Sequence, residues 1–245
     1  MRVFLNGDDF GLTESCSRAI AEALQRGIIH GTTMMATGEY FEQAASLARD
    51  RGFARQVGVH FNLTEGAPLT EDIRSVAAFV RDGRFHKDYL RDPQPLSQAA
   101  QAAVIAELTA QVGRIRAAGF PVTRADSHHY VHNLAALAPL VAQVCRASGI
   151  VRIRLNRTFS TPARPQVTAG RIDNAWWRAQ GFVTTAHFGR LSDLANADVD
   201  GDVEIMVHPD YDRNGVLIDR TGMSEGFPTG TPLTPLAIGE TIDFR

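Results

Sequence analysis

The sequence predicts an α/β fold, specifically an irregular, TIM-barrel-like (β/α) barrel, on the basis of three observations. Short apolar runs alternate with longer segments of helical periodicity along almost the whole chain, which is typical of parallel strands joined by helical crossovers. About seven or eight such units follow one another, which favours a barrel over an open sheet. With 245 residues, of which 44% are hydrophobic, the chain can bury one large core. We therefore expect a single domain over residues 1–245.

The first part of the chain is predicted to contain three strands with two helices between them. Thr13 is suited to cap the first helix and Gly27 to end it, while Ala19, Ile20 and Ala23 lie on one apolar face. The predicted strands are Val3–Asn6, Ile28–Ala36 and Gln56–Leu63, and the predicted helices are Thr13–Arg26 and Tyr40–Arg51. These strands should lie side by side in one parallel sheet.

An irregular, mostly polar segment at about residues 64–95 interrupts this alternation. It contains Pro68, Gly83, Pro93 and Pro95, residue types that favour turns over regular structure. We interpret this segment as an insertion that covers the functional site. The later predicted helices are Leu96–Ala118, Leu134–Ser148, Asp173–Gln180 and Ser192–Ala197, and the later predicted strands are Val122–Asp126, Gly149–Ile153, Phe182–His187, Val203–Val207 and Ile242–Phe244.

The composition disfavours several classes of partner. A formal net charge of −2 without a basic run gives no reason to expect nucleic acid or an anionic membrane surface. The apolar run after Met1 is too short for the core of a signal peptide, and no later run is long enough to span a membrane. Cys16 and Cys145 lie in separate helical patterns, so a disulfide framework is not expected. We expect a cytoplasmic protein with no nucleic-acid or membrane partner, and a homodimer as the commonest assembly.

Polar residues of the kind used in catalysis follow several of the predicted strands. Asp8 and Asp9 follow the first strand, and His60 lies late in the third. His128 lies in the segment DSHHYVH after the fourth strand, and His208 follows Val203–Val207. Because the carboxyl ends of parallel strands share one edge of a sheet, these side chains should converge.

A carboxylate and two imidazoles, here Asp9, His60 and His128, form a common ligand set for Zn²⁺, Mn²⁺, Fe²⁺ or Co²⁺. Mg²⁺ suits this set less well because it prefers oxygen ligands. A dication would also offset the repulsion between the adjacent carboxylates of Asp8 and Asp9, and would allow one carboxylate to bind the ion while the other stays free as a base. Two alternatives remain open: the aspartates could cap the following helix, and His60 could be an ordinary core histidine.

The segments NGDDFG, VGVHFNLTEG, ADSHHYVH and EIMVHPD occur in this order and together extend over most of the chain. They resemble the signature segments of the YdjC-like carbohydrate deacetylases, the group that includes chito-oligosaccharide deacetylases. The resemblance implies an irregular (β/α) barrel related in site logic to polysaccharide deacetylases. It also implies one divalent metal ion as cofactor, with zinc or magnesium foremost and manganese or cobalt as alternatives.

Matched position by position, the resemblance implies a role for each residue of the predicted site. Asp9, His60 and His128 correspond to the metal ligands. Asp8 corresponds to the catalytic base, and His208 to the general acid. The chain has Tyr130 where the family often has a third histidine, which removes that position as a metal ligand.

Further side chains near the predicted strand ends are candidates for binding the substrate. Aromatic rings offer stacking faces for a sugar, and two guanidinium groups two residues apart share one face of the fifth strand, where either could hold a hydroxyl or a phosphate. The candidates are Phe61, His129, Tyr130, Arg152 and Arg154.

We therefore expect a metal-dependent hydrolase that removes the acetyl group from N-acetylated amino sugars, namely short chito-oligosaccharides, either free or phosphorylated. The alternative is a metal-dependent phosphoesterase acting on a small sugar phosphate, which would need more positive charge and often a second metal ion. A binding module with structural zinc is disfavoured because such sites are usually closed and cysteine-rich. A non-metal α/β hydrolase is disfavoured because the chain lacks a G-x-S-x-G elbow.

Overall fold

Seven parallel strands form one curled sheet that positions every site residue. The structure, a computed structural model, describes residues 2–159, 170–194, 199–220 and 231–233. The strands are β1 (Arg2–Phe10), β2 (Gly31–Met34), β3 (Val57–Phe61), β4 (Val80–Arg81), β5 (Arg84–Phe85), β6 (Arg124–Ser127), β7 (Arg152–Ile153), β8 (His187–Arg190), β9 (Asp202–Val207), β10 (Pro209–Tyr211), β11 (Leu217–Asp219) and β12 (Thr231–Pro232). The main sheet has the order β7-β6-β3-β2-β1-β9-β8.

Helices lie between consecutive strands of the main sheet, as parallel pairing requires. The helices are α1 (Glu14–Gln25), α2 (Phe41–Asp50), α3 (Glu71–Arg74), α4 (Asp88–Arg91), α5 (Gln98–Ala117), α6 (Ala138–Ala147), α7 (Asn174–Ala179) and α8 (Leu191–Leu194). Two short 3₁₀ turns cover Ala54–Gln56 and His128–Asn133. Thr13 caps α1 as predicted, because its Oγ1 accepts a hydrogen bond from the Cys16 amide at 3.3 Å.

The two edges of the main sheet approach each other. A single parallel bridge joins Arg152 of β7 to Val183, which precedes β8, and the Thr158 amide donates to the Phe188 carbonyl at 2.9 Å. Within the described ranges these contacts do not extend into a ladder between β7 and β8. The α/β class and the barrel-like parallel sheet are therefore confirmed, whereas a closed TIM barrel is not shown.

Most predicted elements are present with shifted ends, and one strand is displaced. The sequence predicts a strand over Phe182–His187, but the observed strand, β8, begins at His187. Within the predicted strand, Val183 forms only the isolated bridge to Arg152, and Phe182 packs edge-to-face against Trp177 at 5.4 Å between ring centroids. The predicted strand Ile242–Phe244 lies outside the described residues.

Residues 64–95 carry their own short elements, which attach to α5. Phe79 and Tyr89 pack together with ring centroids 4.6 Å apart, and Ile73 is fully buried. The buried Glu107 side chain of α5 accepts hydrogen bonds from the backbone amides of Leu69 and Thr70 at 2.9–3.2 Å. These contacts fix the start of the segment beside the carboxyl end of β3.

A small antiparallel sheet of β10, β11 and β12 follows the main sheet, although the sequence did not predict it. It holds the chain at His208, whose backbone N–H donates to Asp219 Oδ1 at 2.8 Å and whose carbonyl accepts from the Arg220 amide at 2.9 Å. The Tyr211 hydroxyl donates to Glu22 of α1 at 2.8 Å, which anchors the sheet to the barrel.

Among the helices that the structure describes, none combines the length and apolar character needed to cross a membrane.

Candidate active site

A cavity of about 710 Å³ opens where the carboxyl ends of β1, β3, β6 and β9 meet. This is the edge at which ligands bind in parallel α/β folds. Most of the predicted site residues line it, namely Asp8, Asp9, His60, His128, His129, Tyr130 and His208. The convergence that the sequence predicts is therefore present in the fold.

An irregularity at the end of β1 brings both neighbouring aspartates into this cavity. In a regular strand, consecutive side chains point to opposite faces. Asp9 has a φ of 70°, and the register with β2 shifts between Gly7 and Phe10. A left-handed conformation at a residue other than glycine costs of order 1–3 kcal/mol, so the surrounding contacts must maintain it. The alternative that this pair only caps α1 does not fit, because Thr13 caps that helix.

His60 owes its orientation to the neighbouring strand. β3 pairs with β6 so that His60 is the register partner of Asp126. The Asp126 carboxylate accepts a hydrogen bond from His60 Nδ1 at 2.7 Å, and His60 Nε2 lies 3.2 Å from Asp9 Oδ1. His60 is thus buried, but it belongs to the site and not to an apolar core.

His128 reaches the same aspartate from the turn that follows β6. Its Nδ1 lies 2.8 Å from Asp9 Oδ1, and its Nε2 lies 3.1 Å from Glu65 Oε2. The two residues after it, His129 and Tyr130, have φ values of 55° and 58°, which turns this short segment so that all three side chains line the cavity.

Opposite charges in this cluster shift several pKa values. Burial alone would raise the pKa of Asp9, but the adjacent imidazoles, His128 first, hold it well below its usual value. Burial would lower the pKa of His60, but Asp126 and then Asp9 raise it to about 10. Burial and the neighbouring His128 lower the pKa of His129 to about 3, so this imidazole is neutral at physiological pH.

A buried arginine neutralises the other aspartate of the pair. Arg154 donates two hydrogen bonds to the Asp8 carboxylate, at 2.6 and 2.8 Å. It also contacts Asp126 at 2.7 Å and Glu204 at 2.7 Å. The negative charge of Asp8 is therefore compensated by a guanidinium group, whereas that of Asp9 is compensated by imidazoles.

Arg154 is consequently not a rim residue available to substrate, as the sequence suggested. Its side chain is 1% exposed, and all of its hydrogen bonds to side chains go to carboxylates inside the barrel. Arg152 also lies away from the main cavity, and both arginines line a separate cavity of about 20 Å³. Phe61 is fully buried in the apolar core, because alternation along β3 turns it away from the face that carries His60. These positions do not fit the expected role of Phe61, Arg152 and Arg154 in substrate binding.

The cavity wall also contains three cationic residues that the sequence analysis did not predict, namely Lys87, Arg190 and Arg220. Lys87 and Glu65 come from residues 64–95, so this segment contributes to the cavity wall. Asp210, two residues after His208, hydrogen-bonds Ser15 and forms an ion pair with Arg220 at 3.2 Å. Glu65 lies inside the motif VGVHFNLTEG, so its position in the sequence could have drawn attention to it.

The donor atoms of Asp9, His60 and His128 fit the requirements of one divalent metal ion. Their ligand atoms all lie within 4.8 Å of one another. The distances of 3.2 and 2.8 Å from Asp9 Oδ1 to the two ring nitrogens are close to the edge of a tetrahedron around zinc, about 3.3 Å for bonds of about 2.0 Å. The neighbouring carboxylates raise the pKa of both imidazoles, and a metal ion would displace one proton from each ring because only a deprotonated nitrogen can ligate.

The fold and the site together define a barrel-like α/β protein that carries buried His and Asp groups able to hold a metal ion in a cavity at its strand ends. The sequence pattern of the YdjC-like proteins matches residues 2–229, and the chain belongs to this family.

Two proteins similar to this chain in sequence are named as deacetylases of carbohydrates. A carbohydrate deacetylase of Brevibacillus brevis is 33% identical over 243 residues, covering 98% of this chain and 92% of that protein. A chitooligosaccharide deacetylase of Klebsiella pneumoniae is 31% identical, covering 85% of this chain and 81% of that protein. A crystal structure from Enterococcus faecalis, provisionally described as a cellobiose-phosphate cleavage protein, matches with a TM-score of 0.67 at 22% identity, covering 86% and 81% of the two chains. At that identity the likeness shows the fold alone.

Proposed function

We propose that this protein is a metal-dependent carbohydrate deacetylase that hydrolyses the acetamide group of N-acetylated amino sugars, with short chito-oligosaccharides as substrates. The observation that carries the proposal is the convergence of Asp8, a set of three metal-binding side chains and His208 on one open cavity. The names of the similar proteins support the same reaction and the same class of substrate.

Each side chain has a task in amide hydrolysis. Asp9, His60 and His128 would hold a divalent ion, which acts as a Lewis acid and lowers the pKa of water. Asp8, which Arg154 and Asn6 fix by hydrogen bonds of 2.6–2.8 Å, accepts the proton of the attacking water.

His208 donates a proton to the leaving amine. Its Nε2 lies 3.9 Å from Asp9 Oδ2, so it borders the ligand set without belonging to it. The hairpin of β10 and β11 clamps its backbone and leaves the imidazole facing the cavity.

Replacing His208 by glutamine is expected to lower kcat about 10²- to 10³-fold on an N-acetyl sugar, because an amine leaves poorly without a proton. The same variant should lose little activity on 4-nitrophenyl acetate, whose leaving group needs no proton. Acetate release and 4-nitrophenol release measure the two rates. Equal losses on both substrates would contradict the role of His208 as general acid.

The cationic part of the cavity wall favours a phosphorylated sugar as one of the substrates. Lys87, Arg190 and Arg220 lie on the same cavity as His129, and Arg220 also forms an ion pair with Asp210. A phosphate on the oligosaccharide would find complementary charge there. Because exposed charges are screened by salt, the preference should weaken as ionic strength increases.

The function is tested by incubating the protein, loaded with Zn²⁺, with N,N′-diacetylchitobiose and with its phosphate ester. We expect acetate from both substrates, with higher kcat/KM for the ester at low salt. Treatment with a chelator should abolish the release, and added metal should restore it. Release of inorganic phosphate without acetate would instead identify a phosphoesterase, the alternative that the sequence left open.

A further inference from the structure

The two histidines of the proposed metal site face Asp9 through different ring nitrogens. His60 presents Nε2 to Asp9 Oδ1 at 3.2 Å, whereas His128 presents Nδ1 to the same oxygen at 2.8 Å. In each ring, the remaining nitrogen lies against another carboxylate. Asp126 accepts from His60 Nδ1 at 2.7 Å, and Glu65 lies 3.1 Å from His128 Nε2.

A ring nitrogen that donates its proton to a carboxylate has no lone pair to give to a metal ion. The other nitrogen then becomes the ligand atom, and the carboxylate fixes the plane of the ring. The pairing of His60 with Asp126 therefore selects Nε2 as a ligand atom. Both nitrogens of His128 face a carboxylate, but Asp9 belongs to the proposed ligand set, so a proton shared with Glu65 leaves Nδ1, on the side of Asp9, to bind the ion.

Hydrogen bonds with the Asn62 side chain hold the backbone around Glu65 in place, so that the Glu65 carboxylate faces His128. The Asn62 side chain accepts hydrogen bonds from the amides of Thr64 and Glu65 at 3.0 and 3.2 Å, and its Nδ2 donates to the Glu65 carbonyl. Thr64 Oγ1 lies 2.9 Å from His129 Nδ1. Two consecutive residues thus hold the two consecutive histidines.

We infer that Glu65 is a positioning residue of the metal centre, which orients His128 so that Nδ1 is the atom that binds the metal ion. This inference rests on the metal dependence of the proposed function. Segment 64–95 would then contribute to metal binding through Glu65 as well as to the cavity wall. The two imidazoles would bind the ion through different nitrogens, His60 through Nε2 and His128 through Nδ1.

Glu65 can be changed without disturbing the core, because its side chain is 44% exposed. The test compares Glu65→Ala with Glu65→Gln, whose amide oxygen can still accept a hydrogen bond from His128 Nε2. Glu71→Ala serves as the matched control, since Glu71 belongs to the same segment, is 89% exposed and contacts only Arg74 among the ion pairs described.

Zn²⁺ affinity, measured by competition with a chelating dye, should fall about 10- to 100-fold in Glu65→Ala and much less in Glu65→Gln. It should be unchanged in Glu71→Ala. Imidazole ¹⁵N NMR of the Zn²⁺-loaded wild-type protein should show the ligand shift at Nδ1 of His128 and at Nε2 of His60.

Wild-type affinity in Glu65→Ala would overturn the inference, and so would ligation through Nε2 of His128. An equal loss in Glu65→Gln and Glu65→Ala would also overturn it, because the carboxylate would then act as a ligand itself. These readouts are independent of turnover: a protein that binds Zn²⁺ as expected but releases no acetate would refute the proposed deacetylase and leave the assignment of Glu65 standing. A wild-type protein that binds no Zn²⁺ would overturn both.

Discussion

Replacing Asp8 by asparagine is expected to lower kcat for acetate release by about 10²- to 10⁴-fold while Zn²⁺ affinity stays near that of the wild-type protein. Asp8 lines the cavity, but the three-membered ligand set that includes Asp9 does not need it. An asparagine has nearly the same shape, and its amide oxygen can still accept a hydrogen bond from Arg154. What it lacks is the ability to take a proton from water.

Asp9→Asn is the informative comparison, because the two aspartates are adjacent and both line the cavity. Asp9 contacts both imidazoles of the ligand set, so its replacement should reduce Zn²⁺ affinity together with the rate. Metal content and acetate release, measured on the same samples, separate the two effects. Undiminished turnover in Asp8→Asn would refute its assignment as the base, and a parallel loss of metal would make Asp8 a ligand.

The sequence could predict which residues converge, but not which of them pair. Convergence follows from parallel strands, whose carboxyl ends share one edge whatever their order. Pairing depends on strand order, and here β3 lies beside β6 although five elements of secondary structure separate them along the chain. Asp126 therefore orients His60, although 66 residues separate the two along the chain.

Burial was the second quantity that the sequence did not supply. Alternation placed Arg152 and Arg154 on one face of their strand, but it could not distinguish the rim of the barrel from its interior. The three carboxylates that surround Arg154 come from β1, β6 and β9 and meet only in the folded chain. Alternation alone could have excluded Phe61, since it neighbours His60 on β3.

The small sheet of β10–β12 was missed for a different reason. Its strands are two or three residues long, which is too short for a period of two to stand out, and they lie among Gly, Pro and Thr residues that favour turns. The same shortness affects β7, of which the structure retains only Arg152–Ile153 from the longer predicted strand.

Replacing Arg154 by methionine is expected to have the largest effect on stability, a loss of about 3–5 kcal/mol in the free energy of unfolding. Methionine can fill much of the space of the arginine stem, but it leaves Asp8, Asp126 and Glu204 without the guanidinium group that each of them contacts. A buried charge without a partner costs far more than a lost surface ion pair. Urea unfolding at neutral pH measures the difference.

Arg2→Met provides the matched control for this substitution. Arg2 also binds a carboxylate through two nitrogens, at 2.8 and 2.6 Å to Asp202, but its side chain is 52% exposed. Water and salt screen such a pair, so we expect a loss of no more than about 1 kcal/mol. Both arginines thus hold an aspartate through two nitrogens, but only Arg154 is buried and contacts two further carboxylates.

The pH dependence distinguishes this electrostatic cause from a simple loss of packing. Burial alone would raise the pKa of Asp126, but the charges of Arg154 and then of His60 hold this pKa below its usual value. A carboxyl group with a lowered pKa in the folded state contributes stability that is present above its pKa in the unfolded chain and is lost as the pH falls through its folded value. The gap between wild type and Arg154→Met should therefore be widest near neutral pH and narrow as the solution is acidified. A difference in the free energy of unfolding that does not change with pH would mean that the loss comes from poor packing of methionine. Arg154 would then not stabilise the fold by neutralising Asp8, Asp126 and Glu204.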